Sequence, residues 1–204
     1  SRYRDIAKII REGINEKVDL LVLPESYIPM EWIPILARTC AKNQMALVTG
    51  VEHIRMGKKV YNLTATILPY IENEARYSYI DFHKKVHFAP QEKFMIENYN
   101  LSPVEGKDYT LFNWNDIWFS VYCCYELASI SDRAIFQVYL DMIIAVEWNS
   151  VTNYYASIID SLSRDLHCYC VQVNSSNYGD SRITKPSRTE TKDIIKTKGG
   201  KNRS

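Results

Sequence analysis

Three residues have the types and settings for covalent catalysis: Glu25, Lys85 and Cys124. Cys124 follows the uncharged run 117–123 and precedes Tyr125-Glu126-Leu127, so its thiol is expected at a strand-to-helix elbow, facing a cleft rather than the core. The thiolate is the nucleophilic form, and a free thiol with a pKa of about 8.5 needs a neighbouring base or cation to populate it at neutral pH. Glu25, directly after the apolar run 18–24, can serve as that base. Lys85 can supply the cation and can also hold the oxyanion formed when a carbonyl or nitrile carbon is attacked. Each residue also has a blander reading. A buried cysteine packs, a glutamate after a strand caps it, and a lysine within His83-Lys84-Lys85-Val86-His87 is surface charge.

The elements that must bring these residues together can be read from periodicity. Tyr3, Ile6, Ala7, Ile10 and Ile14 recur at helical spacing and predict an amphipathic first helix. Residues 18–24 read as a strand buried on both faces and closed by Pro24, which places Glu25 at its C-terminal end. A second helix over about 31–43 accommodates Pro34 in its first turn. Residues 45–54, 60–68 and 78–82 are rich in β-branched and aromatic types, with a hairpin turn at Met56-Gly57-Lys58-Lys59. Residues 83–108 show no sustained period and are too long for a mere connection, so they read as a functional loop or a short helix with flanks. A second hairpin turns at Asn115-Asp116; a helix over about 131–139, a buried strand 142–148, a helix 153–167 and a strand 168–174 follow. Hairpins mixed with crossover units predict two sheets covered on the outside by helices. Beyond Asn174 the Ser, Thr, Lys and Gly content leaves little apolar surface to order the chain.

The 204 residues, 46% apolar and 24% charged, fit one globular domain, and a net charge of +1 does not call for nucleic acid, a membrane or an acidic substrate. That average hides a basic segment at 182–204, with eight Lys/Arg against two Asp/Glu, following a domain at 1–181. The uncharged run 117–125 is nine residues, whereas a spanning helix needs about 20. No membrane partner is expected, and a cytoplasmic location is the default. Five cysteines, two adjacent (Cys123, Cys124) and two spaced C-x-C (Cys168, Cys170), form neither a disulfide framework nor a zinc motif and read as thiols. Cys123, Cys168 and Cys170 are expected in the core, and Tyr154 and Tyr155 in packing or an interface.

Leu23-Pro24-Glu25, Lys85-Val86-His87 and Cys124-Tyr125-Glu126, in that order, resemble the three signatures of the carbon–nitrogen hydrolase, or nitrilase, superfamily. Arg133, Glu147-Trp148-Asn149, Ser163-Arg164-Asp165, Asn174 and Gly179-Asp180-Ser181 with Pro186 are also similar to its pattern, over residues 3–186. The resemblance implies an α-β-β-α sandwich of the α+β class, with no cofactor or metal. It makes Glu25 the general base, Lys85 the oxyanion-stabilising cation, Cys124 the nucleophile and Glu92 a second glutamate that orients the lysine or the leaving group. It places Tyr125, Glu126, Trp148 and Asn149 against the substrate. Glu92 follows Lys85 by seven residues where the family usually has eight, so either the loop is one residue shorter or Lys84 is the working lysine. The offsets of His87 and Pro90 favour Lys85.

Family members usually add a strand before the first helix and several after the region of Pro186. The chain is therefore expected to be part of a longer polypeptide, either poorly stable alone or with its sheet edges completed by a partner segment, and the resemblance further implies a homo-oligomer formed through the outer helices. The tail and His87-Phe88-Ala89-Pro90 are further similar to nitrilase-like domains fused to bacterial reverse transcriptases linked to phage defence, which would direct the basic tail toward nucleic acid. The implied function is cysteine-dependent hydrolysis of a non-peptide carbon–nitrogen bond in a small molecule. C-Y-E, instead of the C-W-E of true nitrilases, favours an amide over a nitrile. The alternative is a nitrilase-like module that binds or scaffolds within a larger assembly.

Overall fold

Alternation of apolar residues along long β-branched segments builds two sheets, and two helical layers cover their outer faces. The computed structural model describes residues 2–187 and 193–197; the sequence-predicted basic segment thus lies partly outside the described residues. The first sheet has the order β1 (Leu20–Ile28), β2 (Ala46–Met56), β3 (Lys59–Glu72), β4 (Ala75–Lys84), with the short β5 (Ser102–Pro103) beside β3. β1 and β2 are parallel, while β2–β3 and β3–β4 are antiparallel hairpins. Period-2 alternation sorts their side chains: Leu47, Val51, Ala65 and Ile67 pack under the helices α1 (Arg2–Asn15) and α2 (Ile33–Asn43), against Ile6, Ile10, Leu36 and Cys40. Ala46, Val48 and Leu68 point the other way, into the second sheet.

That second sheet runs β6 (Phe112–Trp114), β7 (Ile117–Cys123), β8 (Met142–Glu147), β9 (Tyr169–Asn174), β10 (Arg182–Thr184), β11 (Asp193–Lys196) in spatial sequence. β7, β8 and β9 are parallel, and α5 (Thr152–Asp165) makes the crossover between β8 and β9, burying Tyr155, Ile158, Ile159 and Leu162 on the outer face. The layers are therefore helix, sheet, sheet, helix, the α-β-β-α sandwich expected. Asn115 and Asp116 both adopt left-handed φ (51° and 61°) in the β6–β7 turn, as a two-residue hairpin requires.

Three elements differ from the sequence reading, each for a local reason. β1 does not close at Pro24, because among the described residues it borders only β2, and an edge strand tolerates a missing N–H. Its register with β2 runs from Leu20↔Ala46 to Leu23↔Thr49, breaks, and resumes at Ile28↔Val51, so Glu25 sits in a bulge with Ser26 at φ 52°. The expected helix over 131–139 shrinks to α4 (Ile130–Arg133), since Ile135, Val138 and Tyr139 are poor helix formers left exposed, with no core face to bury. In the segment 83–108 the second of the two readings, a short helix with flanks, is what forms: α3 (Pro90–Asn98), with proline in its first turn. Beyond Asn174 the chain is more ordered than its composition suggests, because β10 and β11 gain sheet hydrogen bonds.

The bulge that carries Glu25 depends on Gly50 of β2. A Cβ there would lie 2.4 Å from the Glu25 Cα and the Ser26 nitrogen. Gly50→Ala is expected to displace that backbone and destabilise the fold by about 1–3 kcal/mol in urea denaturation, whereas Gly57→Ala in the open β2–β3 turn leaves Glu25 in place.

Candidate active site

A charged cluster lies where residues from the two sheets converge. Lys85, one residue past β4, is 1% exposed, and its backbone N–H donates to the carbonyl of Asn62 on β3. Its ammonium donates to Glu25 Oε1 at 2.8 Å and to Glu92 Oε2 at 2.7 Å. Asn62 Nδ2 donates to the same two carboxylates, at 2.7 Å to Glu25 and 2.9 Å to Glu92. The Trp148 N–H reaches Glu25 Oε2 at 3.1 Å, and His53 Nε2 lies 3.3 Å from Glu92 Oε1. Lys85, and not Lys84, carries the charge inward. The seven-residue spacing closes because Pro90 starts α3 and puts Glu92 in its first turn.

Cys124 opens a 3-10 turn (Cys124–Ala128) immediately after β7 and has φ 49°, a strained conformation for a side-chain-bearing residue. Its thiol is buried against the Tyr155 hydroxyl, 3.7 Å away. Burial pushes the Cys124 thiol well up; the Glu25 charge adds to this and Lys85 opposes it, so the resting sulfur carries its proton. Burial also works against the Lys85 charge, but the Glu25 and Glu92 carboxylates beside it outweigh that and hold the ammonium protonated. For Glu92, burial is outweighed by the hydrogen bonds from His53, Lys85 and Asn62 and by the lysine charge, which hold its carboxyl down to about 2.

The four residues expected against the substrate divide. Trp148 exposes its side chain (51%) beside the site and Tyr125 is half-buried. Glu126 is fully buried and its carboxylate is taken up internally: it accepts from His83 Nε2 at 2.9 Å, from the Val86 N–H at 2.5 Å and from the Cys123 N–H at 2.6 Å. It therefore ties the Cys124 elbow to the Lys85 segment. Asn149 likewise spends its side chain on Glu147 and the Val151 N–H. Asn62, His53, His83 and Tyr155 are the groups sequence reasoning missed; only Asn62, a polar residue at an inward-facing strand position, left a signal. Cys123 is buried as expected, with its sulfur 4.0 Å from Asn62 Oδ1. Among the described residues all five cysteines are free thiols, no group of three His, Cys, Asp or Glu side chains could hold a metal ion, and no helix is long and apolar enough to cross a membrane.

The same fold occurs in solved structures. Nit3 from Saccharomyces cerevisiae, described as a member of branch 10 of the nitrilase superfamily, superposes at a TM-score of 0.73 with 19% identity, over 96% of this chain and 79% of that one. The fold is that of the nitrilase superfamily. An amidase from Nesterenkonia sp. AN1, captured with an acetamide moiety on its active-site cysteine, matches at 0.73 with 12% identity over 98% of this chain and 80% of its own. A CN-hydrolase superfamily protein from Xanthomonas campestris, with an arsenic adduct in its active site, matches at 0.65 with 16% identity over 93% and 79%. The narrower likeness to reverse-transcriptase-fused domains has no counterpart among these three. At the level of sequence, no known family profile and no curated protein matches the chain.

Glu147, at the end of β8, is a second buried carboxyl near Cys124. Gln172 and Asn149 donate to its Oε2, while its Oε1 has no partner among the described residues. Burial, helped by the Glu25 charge, pushes it up from 4.5 to about 7 in spite of those two hydrogen bonds. An acid whose pKa rises on folding favours the native state fully below its unfolded pKa and loses that contribution as pH climbs through the folded value. The stability advantage of Glu147→Gln over wild type is therefore expected to grow by up to about 3 kcal/mol from pH 4.5 to pH 7.5 in paired urea titrations; a constant difference would refute the assignment.

Proposed function

We propose that this protein is a cysteine-dependent hydrolase of a non-peptide carbon–nitrogen bond, acting on a small amide in preference to a nitrile through a thioester at Cys124. The observation that carries this reading is the Glu25–Lys85–Glu92 cluster joined through Asn62, set at the same end of the sandwich as a thiol on a strained elbow. The thiol rests protonated, so nucleophilic attack requires a base, and Glu25 has the charge and position to act on it. Glu25 takes the thiol proton as the sulfur bonds to the amide carbon. Lys85 and the Tyr125 backbone N–H hold the resulting oxyanion. The tetrahedral intermediate collapses as Glu25 returns a proton to the departing nitrogen, releasing ammonia or an amine. Water, deprotonated by Glu25, then attacks the thioester, and the carboxylic acid leaves with the sulfur reprotonated. Glu92, held by Lys85, Asn62 and His53, fixes the lysine and shields the leaving group from bulk water.

The alternative role, a nitrilase-like module docking within a larger assembly such as a reverse transcriptase of an antiviral system, draws on large exposed apolar side chains at Phe94, Met95, Tyr99, Ile135, Val138 and Tyr139. Intact-protein mass spectrometry after exposure to a panel of small acyl amides separates the two. Hydrolysis predicts an acyl adduct on wild type, its loss in Cys124→Ala with the fold intact, and its persistence in Cys123→Ala. Wild type free of adduct with every amide and nitrile would favour the docking role.

A further inference from the structure

Tyr155 is drawn by composition toward packing, and the structure gives its hydroxyl a different setting. It lies in the first turn of α5, an element that supplies none of Glu25, Lys85 or Glu92, and is 6% exposed. Its ring is fixed edge-on against Tyr154, with centroids 5.4 Å apart and planes at 89°. Its hydroxyl oxygen lies 3.7 Å from the Cys124 sulfur, a normal separation for a hydrogen bond that involves sulfur.

We propose that Tyr155 is a further catalytic residue, whose hydroxyl donates a hydrogen bond to the Cys124 thiolate each time that thiolate forms. The proposal rests on the reading of Cys124 as nucleophile. In the resting site the S–H donates to the phenol oxygen. Once Glu25 has taken the thiol proton, the phenol O–H rotates to donate to the sulfur anion, and the S–C bond then forms at the amide carbon. When the second tetrahedral intermediate collapses, the S–C bond breaks, its electron pair returns to sulfur, and the phenol O–H meets the thiolate again before Glu25 gives back the proton. Tyr155 keeps its own proton throughout, because burial and the negative charges of Cys124 and Glu147 hold its ionisation far above the ordinary tyrosine range. Glu25, Lys85 and Glu147 act on the sulfur most strongly, and the buried Cys123 thiol is coupled to it as well. Lys85 alone favours the thiolate among these, which gives a neutral donor on the α5 side a definite task.

The test is the pH profile of Cys124 alkylation by iodoacetamide, read peptide by peptide by mass spectrometry on the full chain. Three proteins are compared: wild type, Tyr155→Phe, and a protein with 3-fluorotyrosine encoded at position 155. Tyr155→Phe is expected to move the profile up by about one pH unit and to slow neutral-pH alkylation about tenfold, the scale of a hydrogen bond to a charged group. The fluorinated phenol, a stronger donor with its shape nearly kept, is expected to move the profile down. Superimposable profiles in all three would overturn the proposal. Should Tyr155→Phe fail to fold by circular dichroism, the fluorinated protein decides alone: a downward displacement supports the role and none refutes it. Failure of the underlying reading looks different, since wild type would then alkylate at Cys124 without ever forming an acyl adduct from an amide.

Discussion

One ammonium buried between two carboxylates governs the arrangement of this protein. Lys85 has almost no contact with solvent, and removing its charge and those of Glu25 and Glu92 from water costs several kcal/mol per ion before any attraction is counted. The cluster is tolerable because its hydrogen bonds extend outward: Asn62 bridges both carboxylates, the Trp148 N–H meets Glu25, and His53 meets Glu92. These partners come from β3, the turn after β8, and β2. The charge can be satisfied only when both sheets are in place, so the polar site and the sandwich specify each other. Two carboxylates against one ammonium also leave one negative charge beside Cys124, which opposes a standing thiolate. Under the proposed mechanism the thiolate is made on demand, by proton transfer to Glu25, instead of being stored as a preformed ion pair.

The backbone devices around the cluster serve the same end. Gly50 allows the Glu25 bulge to lie against β2, and Gly106 lets the loop after β5 press on the Lys84 carbonyl while its own N–H donates to the Lys85 carbonyl. Glu126 joins the Cys123 and Val86 N–H groups, so the nucleophile elbow and the lysine segment cannot move independently. His83 closes the far side of that carboxylate and stacks on Tyr109, which stacks in turn on Tyr122 of β7. A rigid polar frame of this kind is what a reaction dependent on sub-ångström placement of three groups requires.

Much of this was legible in the sequence, for identifiable reasons. Strand alternation, helix amphipathicity and the two turn signals at Gly57 and Asn115-Asp116 are local properties, and they located most elements and the layered architecture. Lys85 is separable from Lys84 by its offsets, and it is the Lys85 ammonium that meets Glu25 and Glu92. What remained hidden depends on distant pairing. Asn62 matters only because β3 lies opposite Lys85, Tyr155 only because α5 crosses back over the elbow, and Glu126 turns inward because two backbone N–H groups from separate segments converge on it. Pro24 was read as a strand end because nothing local reveals that β1 lies at a border of its sheet. The helix expected after Cys124 failed for want of a face to bury, which periodicity alone does not report.

The stability of Lys85→Met by chemical denaturation, alone and combined with Glu25→Gln and Glu92→Gln, tests the central interaction most directly. Removing the ammonium alone strands two buried carboxylates and is expected to cost about 3–5 kcal/mol, and neutralising both carboxylates as well should restore most of that loss while leaving Cys124 unable to form a thioester. A Lys85→Met protein as stable as wild type would contradict the claim that this buried charge holds the site and the two sheets together.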